Sequence, residues 1–197
     1  VIIHVWPRTL HAGEPLEDAL GHPIAPEDER VLRSVVAHWD GLGSYTLGEH
    51  RHWTAAQWAE HLDDPTLEHP FAADEHGIRS PLLHLTAELH PAARDPTRAD
   101  WPEIARRFAR NAGLTSPVDD QTCRWVAVHS RPRRLDLIAN LIRPDGTWQP
   151  QPHPLLRHLV AEGRRIATKL GLRPNRATTG ALTTAPGLVT PTRGLRR

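Results

Sequence analysis

The fold is decided by the stretch Arg124-Trp-Val-Ala-Val-His129-Ser-Arg131-Pro-Arg133-Arg134-Leu-Asp136-Leu-Ile-Ala-Asn-Leu-Ile-Arg143-Pro-Asp-Gly146. Val126 and Val128 alternate with Ala127 and His129, and then Leu135, Leu137, Ala139 and Leu141 alternate with Arg134, Asp136, Ile138 and Asn140. A period of two in both halves predicts two β-strands joined by a short, arginine-rich turn. Successive strand residues face opposite sides, so Arg134 and Asp136 project in parallel from one face. His129 ends the first strand, and a hairpin would bring it within reach of that pair.

Working outward, Val1–Trp6 reads as a strand by its β-branched content, stopped by Pro7. Residues 82–89 alternate again, with Leu83, Leu85, Ala87 and Leu89 on one face and Leu82, His84, Thr86 and Glu88 on the other. Pro26-Glu-Asp-Glu-Arg30 places acids in a first helical turn, and Val31, Leu32, Val35, Val36 and Trp39 then form an apolar stripe, predicting a helix over 27–39. Thr54-Ala-Ala-Gln57 is a capping-box pattern for a short helix bearing Trp58, Ala59 and Leu62. Residues 63–79 read as a polar connection. Asp100-Trp-Pro-Glu103 starts a helix over 101–112, with Ile104, Ala105, Phe108 and Ala109 on its inner side and Gly113 as its stop. Pro154 to Leu170 reads as a last helix, ended by Gly171.

The expected fold is an α/β (α+β) two-layer sandwich. Its mainly antiparallel sheet has strands near 1–6, 81–89, 123–129 and 135–143, covered by helices near 27–39, 101–112 and 154–170. Residues 1–172 form the domain. Residues 173–197, rich in Thr, Pro, Gly and Arg and without periodicity, are expected to be a disordered basic tail.

A chain of 197 residues with 39% hydrophobic content supports one core-bearing domain. Its one cysteine, Cys123, excludes a disulfide framework and fits a reducing, cytoplasmic setting. No apolar run approaches membrane-spanning length, and Val1-Ile2-Ile3 runs at once into histidine and proline, which is not the pattern of a signal peptide. Net charge is only +1 but unevenly spread: residues 1–123 hold 10 basic and 20 acidic side chains, residues 124–197 hold 14 and 3. Such asymmetry points to a polyanion partner for the second part, or to a basic part that complements the acidic part within one fold.

The frame Trp125-Val126-Ala127-Val128, Leu137-Ile138-Ala139, Leu141-Ile142-Arg143 and Asp145-Gly146 resembles the strand–turn–strand of the actinobacterial relaxase (mobilisation nuclease) domain family. Val35-Val36-Ala37-His38-Trp39-Asp40, the set His84, Leu85, His90 and Pro91, and Trp101, Ile104, Ala105, Gly113 and Leu114 keep step with the same family, as do Arg8, Leu16 and Gly21. The resemblance implies a relaxase (HUH endonuclease)-like fold acting on single-stranded or transfer-origin DNA of a conjugative or mobilisable element, with an intact relaxase or other transfer proteins as partners. In the family, alternating histidines hold a metal on the scissile phosphate and a tyrosine attacks it. Here those two histidine positions hold Arg134 and Asp136, the first histidine position holds Ser130, and the tyrosine position holds Asp18.

A guanidinium does not ligate a cation and repels it. A carboxylate in place of the tyrosine would form an unstable acyl phosphate, so Glu17 and Asp18 read as a solvated helix face. Strand cleavage is therefore expected to be lost and no cofactor is expected. Arg131, Arg133, Arg134 and Arg143 are the candidate DNA-backbone contacts; against that stands an intramolecular pairing of Arg134 with Asp136 or with the acidic N-terminal part. One rival is an active nickase that uses Mg²⁺ or Mn²⁺ in a site rebuilt from His84, His129 and Asp136, with Tyr45, the only tyrosine, as a relocated nucleophile. His50-Arg-His52 offers an i, i+2 pair without a third partner, and no His-x-x-x-His or Cys–His framework exists. A second rival is an adaptor that binds no DNA.

Overall fold

The computed structural model describes residues 1–91, 93–115 and 122–172, so the expected tail at 173–197 lies outside the described residues. The alternating hairpin forms as β4 (Trp125–Val128) and β5 (Arg134–Asn140), antiparallel, with Val126 opposite Ile138 and Val128 opposite Asp136. β3 (Leu82–Glu88) flanks β5 on its other side, and β1 (Ile2–Val5) pairs with β3. The fifth strand is β2 (Val35–His38), paired with β4, giving the antiparallel order β1-β3-β5-β4-β2.

β2 corrects the expected helix over 27–39. Only Val31–Ser34 is helical (α2), and the chain then turns into strand at Val35. Val31, Leu32, Val35, Val36 and Trp39 do have helical spacing. However, two adjacent β-branched residues facing an unpaired edge of β4 favour strand, and pairing with the sheet overrides a weak local preference.

Nearly every residue of β3, β4 and β5 is buried, on both faces. A sheet apolar on both sides must be covered on both sides. One face, with Ile3, Leu83, Leu85, Trp125, Leu135 and Leu137, packs against α5 (Asp100–Asn111) and α6 (Leu155–Lys169). The other, with Leu82, Val126, Val128 and Ile138, packs against α1 (Gly13–Leu20) and α4 (Ala55–Glu68). The layers are therefore three, not the expected two. A short helix α3 (Leu42–Tyr45) and a 3-10 turn (Glu49–His52) connect β2 to α4.

α4 begins at the expected capping box: the Gln57 N–H donates to Thr54 Oγ1 and the Thr54 N–H to Gln57 Oε1 at 2.8 Å. It runs on to Glu68, past the expected end, with Pro65 inside it. Proline has no N–H for the carbonyl four residues back. That carbonyl, on His61, instead accepts from Arg124 Nη1 at 3.0 Å. Arg124 is buried, its guanidinium paired with Asp64 Oδ2 at 2.8 Å and lying over the Tyr45 ring. Among the described residues no helix is long and apolar enough to cross a membrane.

Candidate functional site

The polar cluster of the sheet sits on the face of β3 and β5 that α1 covers. Registry puts Thr86 opposite Asp136 and His84 opposite Ile138, so His84, Thr86, Arg134 and Asp136 share one face across two adjacent strands. Asp136, on a central strand and 1% exposed, is the centre of the cluster. Its Oδ1 accepts from His84 Nε2 at 2.9 Å, Thr86 Oγ1 at 3.0 Å and Arg134 Nη2 at 2.7 Å; its Oδ2 accepts from Arg134 Nε at 2.8 Å. Trp6 extends the network: its Nε1 donates to Thr86 Oγ1 at 2.8 Å and its ring stacks on His84, centroids 5.9 Å apart.

From the other side, α1 presents Asp18. Its Oδ2 accepts from Arg134 Nη2, so one guanidinium bridges two carboxylates contributed by a helix and a strand. Ser130 Oγ donates to the Ala19 carbonyl, and Arg131 Nη2 donates to the Asp18 carbonyl and lies 3.8 Å from Asp18 Oδ1. The end of α1 is thus latched to the hairpin turn. Gly21 closes the helix in the left-handed conformation (φ 82°), and a Cβ there would stand 3.2 Å from the Arg131 guanidinium.

Burial pushes the Asp136 carboxyl up, but the hydrogen bonds from His84 and Arg134 and the Arg134 charge outweigh it and hold it below the usual carboxylate range. Burial likewise works against charge on Arg134, and the bonds to Asp136 and Asp18 more than reverse this, fixing it as a permanent cation. A buried carboxylate that accepts four hydrogen bonds and is held below its usual range is a poor proton acceptor, which argues against a general-base role. Asp18 is less confined, its side chain 41% exposed, and with Trp6, Pro7, Thr9 and His84 it lines an open cleft of about 430 Å³.

One ligand atom each from Asp18, His84 and Asp136 lie within 4.8 Å of one another, a spacing that suits a metal ion. Arg134 bonds to both carboxylates of that trio, so the site already contains its cation. No family model, curated protein or solved structure matches this chain.

Of the residues singled out from the sequence, His84 and Asp136 meet, and His129 does not join them. One position beyond Val128, alternation sends His129 to the other face, where it stacks on Trp101 of α5 at 4.0 Å and its Nδ1 donates to the Arg134 carbonyl. Asp18 takes the third place; it is turned to Arg134 and is not the freely solvated residue expected. Tyr45 packs against Trp39, His61 and Arg124, in a different cluster.

Of the candidate phosphate-binding arginines, Arg131 and Arg134 both turn to Asp18, and Arg133 and Arg143 do not join them. Arg133, in the left-handed region at φ 61°, donates to the carbonyls of His90 and Ala93 and pairs with Asp95 at 2.7 Å. Arg143 lies beyond the far end of β5, and that end alone is about 20 Å of strand from Arg134 at ~3.3 Å per residue. Part of the charge asymmetry is met inside the fold: of the 14 basic residues of the second part, Arg124, Arg131, Arg133, Arg134 and Lys169 pair with acids of the first 123 residues. Sequence reasoning does not mark Trp6 or Thr86 as site residues; alternation around His84 puts Thr86 on the right face, but the registry that aims it at Asp136 is a long-range property.

Proposed function

We propose that this chain is a relaxase-like domain of a conjugative or mobilisable element that engages single-stranded or transfer-origin DNA and does not cut it. One observation carries the reading: Asp18 and Arg134, 116 positions apart and placed by resemblance at the tyrosine and histidine positions, are in direct contact, with Asp136 bonded to the same guanidinium. The five-stranded antiparallel sheet, with Arg134 and Asp136 on a central strand and α1 laid over them, supports this reading. Here the guanidinium replaces the metal ion and a carboxylate replaces the nucleophile. Trp6, 43% exposed at the mouth of the cleft, supplies an aromatic face on which a base of an unpaired strand can stack.

The spacing of Asp18, His84 and Asp136 favours a second reading, a metal-dependent nickase, and Arg134 together with the lack of a tyrosine in the cluster opposes it. Two measurements separate them. Fluorescent single-stranded oligonucleotide is expected to bind, more weakly at higher salt, and Trp6→Ala is expected to reduce that binding. Supercoiled plasmid incubated with Mg²⁺ or Mn²⁺ is expected to stay intact. A protein-linked 5′ phosphate would establish the nickase instead, and an oligonucleotide that fails to bind at either salt would leave the adaptor.

A further inference from the structure

A second cavity, of about 510 Å³, opens on the edge of the sheet away from the Asp136 cluster, between β2, the 3-10 turn and α5. Its lining includes Val36, His38, Asp40, His50, Arg51 and Arg106. Arg51 and Arg106 are both exposed, and among the described residues neither guanidinium has a hydrogen bond or ion pair. That sets them apart from Arg131, Arg133 and Arg134, whose donors are taken by carbonyls and carboxylates.

The two imidazoles are held in defined states. His38 Nδ1 lies 2.9 Å from the Trp39 carbonyl, which can only accept, so Nδ1 carries the proton. Thr46 donates its hydroxyl hydrogen to the Leu42 carbonyl, so at 2.7 Å its oxygen accepts from His50 Nδ1. Nε2 is then the remaining site on each neutral ring. The rings lie 4.8 Å apart, and burial, then His38 and the Arg51 charge, hold His50 below the ordinary imidazole value. Two fixed positive charges beside the pair oppose a metal ion and favour an anion. A phosphate fits both halves: its ionised oxygens accept from the guanidinium forks, and its single proton is shared with an imidazole Nε2. Asp40 is the one carboxylate in the lining, and the two guanidinium groups outweigh it.

We propose that this pocket binds a phosphate group, gripped by Arg51 and Arg106 and sharing a proton with His38 or His50. The site is separate from the Asp18–Arg134–Asp136 cluster and does not depend on the function proposed for it. The test follows the imidazole nitrogens by ¹⁵N NMR during titration with inorganic phosphate, a 5′-phosphorylated thymidine dinucleotide and the same dinucleotide without its terminal phosphate. His38 and His50 signals are expected to move with inorganic phosphate and the terminal monoester. A response to the third compound as well would show that a backbone phosphodiester also enters. The R51A/R106A variant, both positions being on the surface, is expected to weaken binding at least about tenfold, whereas Arg157→Ala on α6 leaves it unchanged. Absence of any imidazole response to all three compounds, or an R51A/R106A variant binding within about twofold of the parent, overturns the proposal.

Discussion

Replacing Arg134 with alanine tests the view that a guanidinium stands in for a metal ion. Arg134 supplies two of the four hydrogen bonds on Asp136, at 2.8 and 2.7 Å, and Asp136 is 1% exposed. Removing one partner of a buried pair leaves an uncompensated charge, at a cost of about 3–5 kcal/mol. The bond to half-exposed Asp18 adds no more than about 1 kcal/mol. The variant should therefore lose roughly 3–5 kcal/mol in urea unfolding with chelator present. It also leaves Asp18, His84 and Asp136 without their cation, ligand atoms within 4.8 Å of one another. A divalent ion binding only the folded state at a hundred times its dissociation constant would return about 2.7 kcal/mol. Mn²⁺ is expected to stabilise Arg134→Ala by such an amount, to leave the parent unmoved, and to lose its effect when Asp18→Ala is added. A loss below about 1 kcal/mol without metal, or equal stabilisation of parent and variant by Mn²⁺, would refute the reasoning.

Stability should also fall with mild acid. His61 is buried, and burial, then the Arg124 charge, lower its pKa to about 3. Below pH 6.5 the unfolded chain takes up a proton that folded His61 refuses, so stability drops from near pH 6.5 downward, by about 2 kcal/mol at pH 5 from this residue; His61→Gln should flatten that part of the profile, and an unchanged slope would contradict it. Burial pushes the Cys123 thiol up to about 12, so thiol reagents at pH 8 should label it only as the chain unfolds, and rapid labelling of the native protein would show that the site is open. At Gly41 a Cβ would come within 2.0 Å of the Trp39 ring; Gly41→Ala should displace that ring and cost about 1–3 kcal/mol in thermal or urea unfolding, whereas a neutral result would mean the loop yields.

The parts of the fold legible in the sequence were those where one period dominates. Leu83-Leu85-Ala87 and Leu135-Leu137-Ala139 gave β3 and β5, and Ile104, Ala105, Phe108 and Ala109 gave α5 nearly to its ends. Val31 to Trp39 fits two periods at once, and only the open edge of β4 decides between them. Residues 63–79 read as a polar connection, so α4 is expected too short; Arg124, which satisfies the carbonyl that Pro65 leaves open, lies 60 positions from the Asp64 it also pairs with. The site was legible as residue types on faces. His84 and Asp136 do meet across β3 and β5, whereas His129, one residue beyond Val128, is turned to the opposite face by the same alternation. Within its own helix Asp18 reads as solvated, and only the packing of α1 on the sheet aims it at Arg134. Local charge counts likewise do not reveal that Arg124, Arg131, Arg133, Arg134 and Lys169 pair with acids of the first part.

Arg124 reaches from the start of β4 to the very carbonyl that Pro65 leaves open, while Asn140 at the end of β5 donates to the neighbouring Leu62 carbonyl at 2.7 Å. A gap in one helix's ladder has become a clasp onto the sheet. α4 consequently has no independent melting of its own: its amides and those of β4 and β5 should open to deuterium together, as one cooperative block.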